Sequence, residues 1–592
     1  MCGIFCYICS DDNISAADQA LQSCQALLAN RGPNHSVRLW YDSKVLFHGS
    51  VLWHQGKTLC KQPIETDQTV LLFNGDIFEN RENTTQSDTF WLLQRIESCE
   101  TQDDLHRLFA NLRGPFSVIF FRKQENRIYF ARDRVGRNSL ILGRAQNGSG
   151  NTFISSVCGN IAYEFVHELP PLGLYYIDLD CAADPAPFRL LPWTESDCSH
   201  MEQLFASVVK IEPSISLEDT LPESVEQHNF DFHTLLAKST LDENVFEYLC
   251  NFPEVNKICN RLIAILRESI RERIQTTTMS CKECLETNFQ CDHPKIGILF
   301  SGGIDCTILA LIADDIIPTQ TPIDLMNVAF EKVNRSGEKC EPSKIDYNVP
   351  DRLTGRATVQ ELISLRPNRK WNFIEINVSR SELSEHRKTI SDLVFPLQNV
   401  LDESLGAALW FASKGIGLKN GQSFTSTSRV LLLGSGADEL FGGYTRHKAA
   451  FEKCLRSNDK PLPGEAKTLE DTQFQQAFQA LQDELEADWS RLPSRNLARD
   501  DRVISDNGVT PRTPYLQEDF ISLVRSLKAS QRCYPPLGPG LGDKLVLRLC
   551  AYKLGLVQAS CLRKRALQFG SRIADRKQNA SDRSSYLQGV RD

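Results

Sequence analysis

The hydrophobic texture of this chain changes midway, and that change constrains the fold more than any other feature. From residue 295 onward, apolar runs alternate with stretches of helical spacing. Runs 296–300, 326–330, 373–378 and 430–433 read as buried strands, and segments such as 307–313 read as helix. Strands alternating with helices imply a largely parallel, doubly wound sheet. Residues 1 to about 190 instead hold short apolar runs closely punctuated by turns: 69–73, 116–121, 128–131, 153–156 and 174–179, with helices near 16–28 and 87–96. That half is strand-rich. At 592 residues the chain is too long for one core. Two large domains are expected, over 2–190 and 253–592.

Between them, residues 191–252 mix acidic residues, Ser and Pro without a sustained period and read as a linker with partial helix. Beyond it, Val255, Ile258, Leu262, Ile265, Leu266, Ile270 and Ile274 recur at three- and four-residue spacings, which places them on one face of an amphipathic helix. The formal charge of -9 gives no global reason to bind nucleic acid or an anionic membrane, and no apolar run reaches the ~20 residues of a membrane span. The expected site is cytoplasmic. Twenty cysteines without a secretory signal suggest free thiols, metal ligands or a nucleophile rather than a disulfide framework.

Position 2 matters most among them. If Met1 is removed, Cys2 carries both a thiol and a free α-amine, and the amine can act as general base for the thiol. Such a nucleophile needs oxyanion donors, and Asn74-Gly75 offers a side-chain amide and an unhindered backbone N–H. In the second half, the strand at 296–300 runs into Ser301-Gly302-Gly303-Ile304-Asp305-Cys306 and then a helix. Glycines at a helix N-terminus let backbone N–H groups approach phosphate oxygens. A second turn, Gly434-Ser435-Gly436-Ala437-Asp438-Glu439, repeats the logic after strand 430–433. Asp305 and Asp438 could share one Mg2+ and a pyrophosphate between neighbouring strands.

These residues carry a resemblance. Met1-Cys2-Gly3-Ile4, Asn30-Arg31-Gly32-Pro33, Phe73-Asn74-Gly75-Asp76, Ser87-Asp88 and Arg132-Asp133-Arg134-Val135-Gly136-Arg137 resemble class II glutamine amidotransferases. The two glycine turns, with Arg512-Thr513-Pro514-Tyr515-Leu516 and Ala566 to Ser571, resemble the PP-loop of ATP pyrophosphatases. Together they are similar to asparagine synthetases, and nearest to the asparagine synthetase domain-containing protein 1 family. The resemblance implies an α+β N-terminal nucleophile hydrolase domain, with stacked antiparallel sheets between helices, followed by an α/β PP-loop domain. It implies Cys2 as nucleophile, Asn74 and Gly75 as oxyanion hole, and Asp88 on the α-amine of glutamine. ATP and Mg2+ would be held by Ser301, Gly302, Gly303, Asp305, Gly434, Gly436 and Asp438, and Lys564 would stabilise the leaving charge. Glutamine, aspartate and ATP are the implied small-molecule substrates.

The chain also departs from that pattern. Where an Arg-Leu pair usually holds the glutamine α-carboxylate, it reads His48-Gly49-Ser50-Val51-Leu52. Arg31 and Arg38 are the nearby cations that could compensate. Cys306 replaces a phosphate-binding Ser, Ser435 a Glu, and Thr510 and Gln517 stand where acidic residues usually flank Arg512. An active glutamine-hydrolysing synthetase, an amidotransferase for another carboxylate, and a degenerate nucleotide- or partner-binding relative therefore stay open. Separately, Cys281, Cys284, Cys291 and His293 have the ligand types and short spacing of a zinc site, against the alternative of an exposed reduced loop.

Overall fold

The computed structural model describes residues 1–10, 14–78, 86–146, 150–159, 161–181, 187–194, 203–212, 228–237, 244–278, 280–285, 291–331, 346–455, 466–574 and 584. Three sheets organise them. The first is antiparallel, with strands in the spatial order Tyr163–Glu168, Ile141–Ala145, Thr152–Ser155, Gly3–Ile8, Val45–Val51 and His35–Tyr41. The second runs Val209–Ile211, Phe188–Pro192, Gly173–Asp178, Arg127–Arg132, Phe116–Arg122, Thr69–Gly75 and Ile64–Glu65. The two face each other through a core that includes Ile4, Phe47, Leu72, Phe121, Phe130 and Ile154. Helix Ile14–Arg31 packs on the outer face of the first sheet, and helices Asp88–Glu97 and Gln102–Asn111 on that of the second. Apolar side chains on both faces of these strands explain why they read as continuous runs instead of alternating ones.

The third sheet runs Gln422–Thr425, Ile416–Lys419, Trp371–Val378, Ile323–Phe330, Ile296–Leu299, Val430–Leu432 and Thr510–Arg512. Its last five strands are parallel, with an antiparallel hairpin at one edge. The chain leaves Ile296–Leu299 towards one side and later returns on the other with Val430–Leu432. Between them lies the switch point where α/β sheets bind ligands, and both glycine turns open there. The helix foreseen from the spacing of Val255 to Ile274 spans Pro253–Gln275, with a Pro in its first turn.

The stretch expected as a linker is more structured than its aperiodic sequence suggests. Strand Val209–Ile211 pairs in parallel with Phe188–Pro192 and so extends the second sheet. Helices Phe232–Leu236 and Val245–Cys250 bury Phe232, Phe246 and Leu249 in the core of the third-sheet domain. Each element is too short for its period to register in the sequence. Residues 195–202, 213–227 and 238–243 of that stretch lie outside the described residues.

Buried and half-buried ion pairs join the halves. Arg31 Nη2 meets Asp501 Oδ2 at 2.9 Å, Arg502 pairs with Glu168, and Arg137 Nη2 reaches Glu518 at 2.6 Å. The run Arg132 to Arg137 thus serves the junction: Arg132 also donates to the carbonyl of Pro493, and Arg137 to that of Leu516.

Candidate functional site

Strand Gly3–Ile8 delivers Cys2 to the mouth of a narrow pocket. Its lining includes Val51, Leu52, Cys60, Gln62, Gly75, Asp76 and Asp88. The thiol is half-buried and lies 3.7 Å from Gln62 Nε2, while Gln62 Oε1 accepts from the N–H of Phe73 at 2.7 Å. Gln62 was not anticipated, although the Gln62-Pro63 step before a strand was its only sequence trace. With Met1 in place, burial pushes the Cys2 thiol up and lowers the Met1 amine to about 5. That amine donates to Thr510 Oγ1 at 2.9 Å, and the Thr510 hydroxyl lies 2.6 Å from His54 Nε2. Thr510 belongs to the third sheet, so the second domain closes one wall of the first domain's pocket.

Of the expected oxyanion donors, Gly75 lines the pocket and Asn74 does not. Alternation along Thr69–Gly75 puts Asn74 on the face it shares with Leu72, towards the core between the two sheets that Cys2 also packs against. There its Nδ2 lies 3.2 Å from Ser117 Oγ, and its Oδ1 is buried without a hydrogen-bond partner among the described residues. Asp88 lines the pocket as expected, at the start of helix Asp88–Glu97 behind the N-cap Ser87.

The strand that lacks the usual arginine also shows where one would have to stand. Ser50 Oγ is occupied by His48 Nε2 at 3.1 Å and Ser36 Oγ at 2.8 Å, whereas Val51 lines the pocket. Neither nearby arginine substitutes: Arg31 is committed to Asp501 and the Cys2 carbonyl, and Arg38 pairs with Asp18 on the surface. Among the described residues no Lys or Arg lines this pocket, and burial holds His54 neutral. Asp88 makes the field there favourable to an ammonium group, and a carboxylate finds no cationic side chain on the lining.

Asp76 follows strand Thr69–Gly75 and forms a bidentate pair with Arg512, at 2.9 and 2.8 Å, with both side chains almost fully buried. Burial would raise the Asp76 carboxyl, but the Arg512 guanidinium overrides it and holds it below its ordinary value. The pair therefore stabilises the junction above the ordinary carboxylate range, and that contribution is lost as pH falls through the depressed value. Arg512→Ala should cost about 3–5 kcal/mol, since it strands a buried carboxylate. Urea unfolding at neutral pH checks this; a loss under about 1 kcal/mol, the worth of an exposed pair, would show that the pair does not hold the halves together.

The second cavity, of about 440 Å³, opens at the switch point of the third sheet. Its walls carry Ser301, Gly303 and Asp305 from one turn and Gly434, Ser435, Gly436 and Asp438 from the other. Gly302 lies behind them at φ +81°, where a Cβ would stand 2.6 Å from the N atom of Gly355. Only glycine lets this turn pack so closely against helix Pro350–Leu365.

Two lysines close the acidic pair. Lys544 Nζ sits 2.7 Å from both Asp305 oxygens and 3.0 Å from Asp438 Oδ1, and Lys564 contacts Asp438 Oδ2. Burial alone would raise the Asp438 carboxyl, yet the two ammonium groups hold it far below its ordinary value. Lys564 shifts in the complementary direction: burial disfavours its charge, and Asp438 and Asp305 more than restore it. Lys544 was missed in the sequence. It is fully buried and left-handed at φ +54°, a strained conformation for a lysine that directs its side chain between the carboxylates. Cys306 Sγ lies 3.8 Å from Ser301 Oγ and donates to the Gly303 carbonyl, so the unusual thiol caps the turn from within.

Both carboxylates reach one ammonium group, so the pair fits a divalent cation shared with phosphate oxygens. Deeper in the cavity, Glu439 is raised to about 7 by burial and by the neighbouring Asp438. It accepts from Tyr444 Oη at 2.7 Å and Asn496 Nδ2 at 2.9 Å.

Residues 1–169 match the glutamine amidotransferase domain family, and residues 283–584 the asparagine synthase family. Fold and sites thus define an asparagine synthetase-like glutamine amidotransferase architecture. The chain is 38% identical to an asparagine synthetase domain-containing protein of Drosophila melanogaster, covering 99% of this chain and 100% of that one. It is 34% identical to asparagine synthetase domain-containing protein 1 of Homo sapiens, covering 99% and 98% respectively. A domain-containing relative from Saccharomyces cerevisiae is 24% identical over 92% of this chain and 87% of its own. The chain belongs to the asparagine synthetase domain-containing protein 1 family. No helix among the described residues is long and apolar enough to cross a membrane.

Proposed function

We propose that the protein is a glutamine-hydrolysing, asparagine synthetase-type ligase that adenylates aspartate with ATP and transfers to it ammonia taken from glutamine. The observation that carries this reading is the cavity at the switch point. There a glycine turn, two carboxylates and Lys564 line a volume suited to a nucleotide and a small acid, with Lys544 buried behind the carboxylates. Backbone N–H groups of Ser301 to Gly303 would hold the phosphates, and Lys544 and Lys564 would take up the charge of the departing pyrophosphate. Mg2+, held by Asp305 and Asp438, would supply further charge neutralisation when bound.

In the first domain, with Met1 removed, the Cys2 amine would accept the thiol proton and the sulfur would attack the glutamine amide. A thioester forms, ammonia leaves, and water then releases glutamate. Gly75 and the amide of Gln62 are the donors positioned near the thiol.

Incubation of the full chain with ATP, Mg2+ and aspartate, with AMP and pyrophosphate measured, tests the synthetase half, and glutamate release from glutamine tests the other. Nucleotide binding without either product would sink the proposal. It would favour a second reading, a nucleotide-binding relative without synthesis, to which Ser435 in place of the usual acid gives support.

The acidic pocket around Cys2 makes a separate prediction. A charge-assisted hydrogen bond is worth about 1.5–3 kcal/mol, so a glutamine carboxylate without its arginine should bind roughly ten- to a hundredfold more weakly. KM should be high and kcat less affected, since the group lies away from the scissile amide. Val51→Arg, on the lining face, should recover part of that affinity. Saturation of the parent at low micromolar glutamine would show that another residue holds the carboxylate.

A further inference from the structure

We propose that Cys281, Cys284, Cys291 and His293 form a tetrahedral structural zinc site that clamps the junction of the two domains beside the Cys2 pocket. The four donor atoms lie within 4.8 Å of one another. His293 Nδ1 is 3.5 Å from Cys281 Sγ and 3.5 Å from Cys284 Sγ. Zn–S bonds of about 2.3 Å and Zn–N bonds of about 2.0–2.1 Å around a tetrahedral centre require S···N edges of about 3.6 Å. The side chains already stand at that spacing. A Cys281–Cys284 disulfide would draw two sulfurs to about 2.0 Å and leave Cys291 and His293 without a reason to converge on them.

The backbone supports a thiolate cluster. The N–H of Cys281 donates to Cys291 Sγ at 3.3 Å, as backbone amides do to metal-bound thiolates. Three thiolates on a dication leave one net negative charge, and the buried Arg429 guanidinium stands close enough to interact with Cys281. Cys281 is buried, Cys284 and Cys291 are half-buried and His293 is exposed, so the ion has an entry side and a sealed side. Four protein ligands leave no open position, which makes the site structural rather than catalytic.

Its placement gives the structural role a target. The N–H of Lys282 donates to the Thr427 carbonyl at 3.0 Å, and Lys282 Nζ to the Asn507 carbonyl at 2.7 Å, tying the knuckle to the third-sheet domain. Just before it, the N–H of Thr278 donates to the carbonyl of His54 at 3.1 Å, and Arg429 contacts both Thr278 and the carbonyl of Trp53. The metal would therefore fix the segment that holds the 52–56 loop, one wall of the Cys2 pocket.

The test uses the full chain, produced without a histidine tag. Native mass spectrometry and elemental analysis should find one zinc per chain, and a mercurial thiol reagent should release it into a chromogenic chelator. Cobalt in its place should give the visible absorption of a tetrahedral thiolate site. Cys284→Ser with Cys291→Ser should lose the ion, while His293→Cys should keep it as a four-cysteine site. Because the double variant could misfold, hydrogen exchange on the unmutated protein with and without zinc provides an independent reading: faster exchange at 52–56 and 276–282 on metal removal is expected. A metal-free protein in which Cys281, Cys284 and Cys291 all titrate as free thiols, a mapped Cys281–Cys284 disulfide, or unchanged exchange after zinc release would overturn the proposal.

Discussion

Replacing Cys2 with alanine is expected to abolish glutamate release from glutamine, by several orders of magnitude, and to leave AMP formation supported by free ammonia close to that of the parent. The separation follows from what the side chain touches. Its sulfur meets the Gln62 amide and the pocket wall, whereas the ion pairs that join the domains are made by Arg31, Asp76, Arg137 and Glu168. Arg31 holds the Cys2 carbonyl and not the thiol, and alanine keeps that contact. The same geometry makes Met1 removal a precondition. With Met1 present, its amine lies against Thr510 and titrates near 5, and the thiol is pushed up by burial, so no base is matched to the nucleophile. A purified active chain should therefore begin at Cys2 by intact mass. Equal loss of both activities in a folded Cys2→Ala protein would mean that the two sites are not separate.

What the sequence disclosed were features whose physics is local. A glycine turn between a strand and a helix announces itself by composition, and the two at Gly302 and Gly436 lie on adjacent strands as expected. The division into a strand-rich half and a half of alternating strands and helices followed from the spacing of apolar runs, whereas the antiparallel stacking of the first half was implied by the resemblance. Features set by register or by distant partners were not legible. Asn74 carries the right chemistry, but its amide meets Ser117 and does not line the pocket; Val51 and not Ser50 faces that pocket, since one residue along a strand reverses the face. Asp76 and Arg512 are separated by 436 positions, and only the folded topology brings them together. Lys544 had no motif of its own; its meaning comes from a left-handed backbone that aims it between Asp305 and Asp438.

Asp305→Asn and Asp438→Asn should each remove Mg2+-dependent pyrophosphate release while sparing glutamine hydrolysis. Each substitution keeps the shape of the side chain and removes one of the two negative charges that meet at the switch point. The consequence differs from that of losing a surface pair. Lys544 is fully buried, and with one carboxylate neutralised the site carries two lysines against one acid. That balance favours binding of an anionic triphosphate and weakens the hold on a cation, so nucleotide affinity should persist or rise while turnover falls by orders of magnitude. Binding and chemistry can thus be read apart, by nucleotide titration on one side and pyrophosphate release on the other. The glutaminase assay reports the fold of each variant, because Thr510 from the same sheet lines the Cys2 pocket and Arg512 holds Asp76, another lining residue. If both variants still release pyrophosphate at the parental rate with glutamine hydrolysis intact, the carboxylate pair does not serve the nucleotide, and the lysines that bridge it are a structural plug.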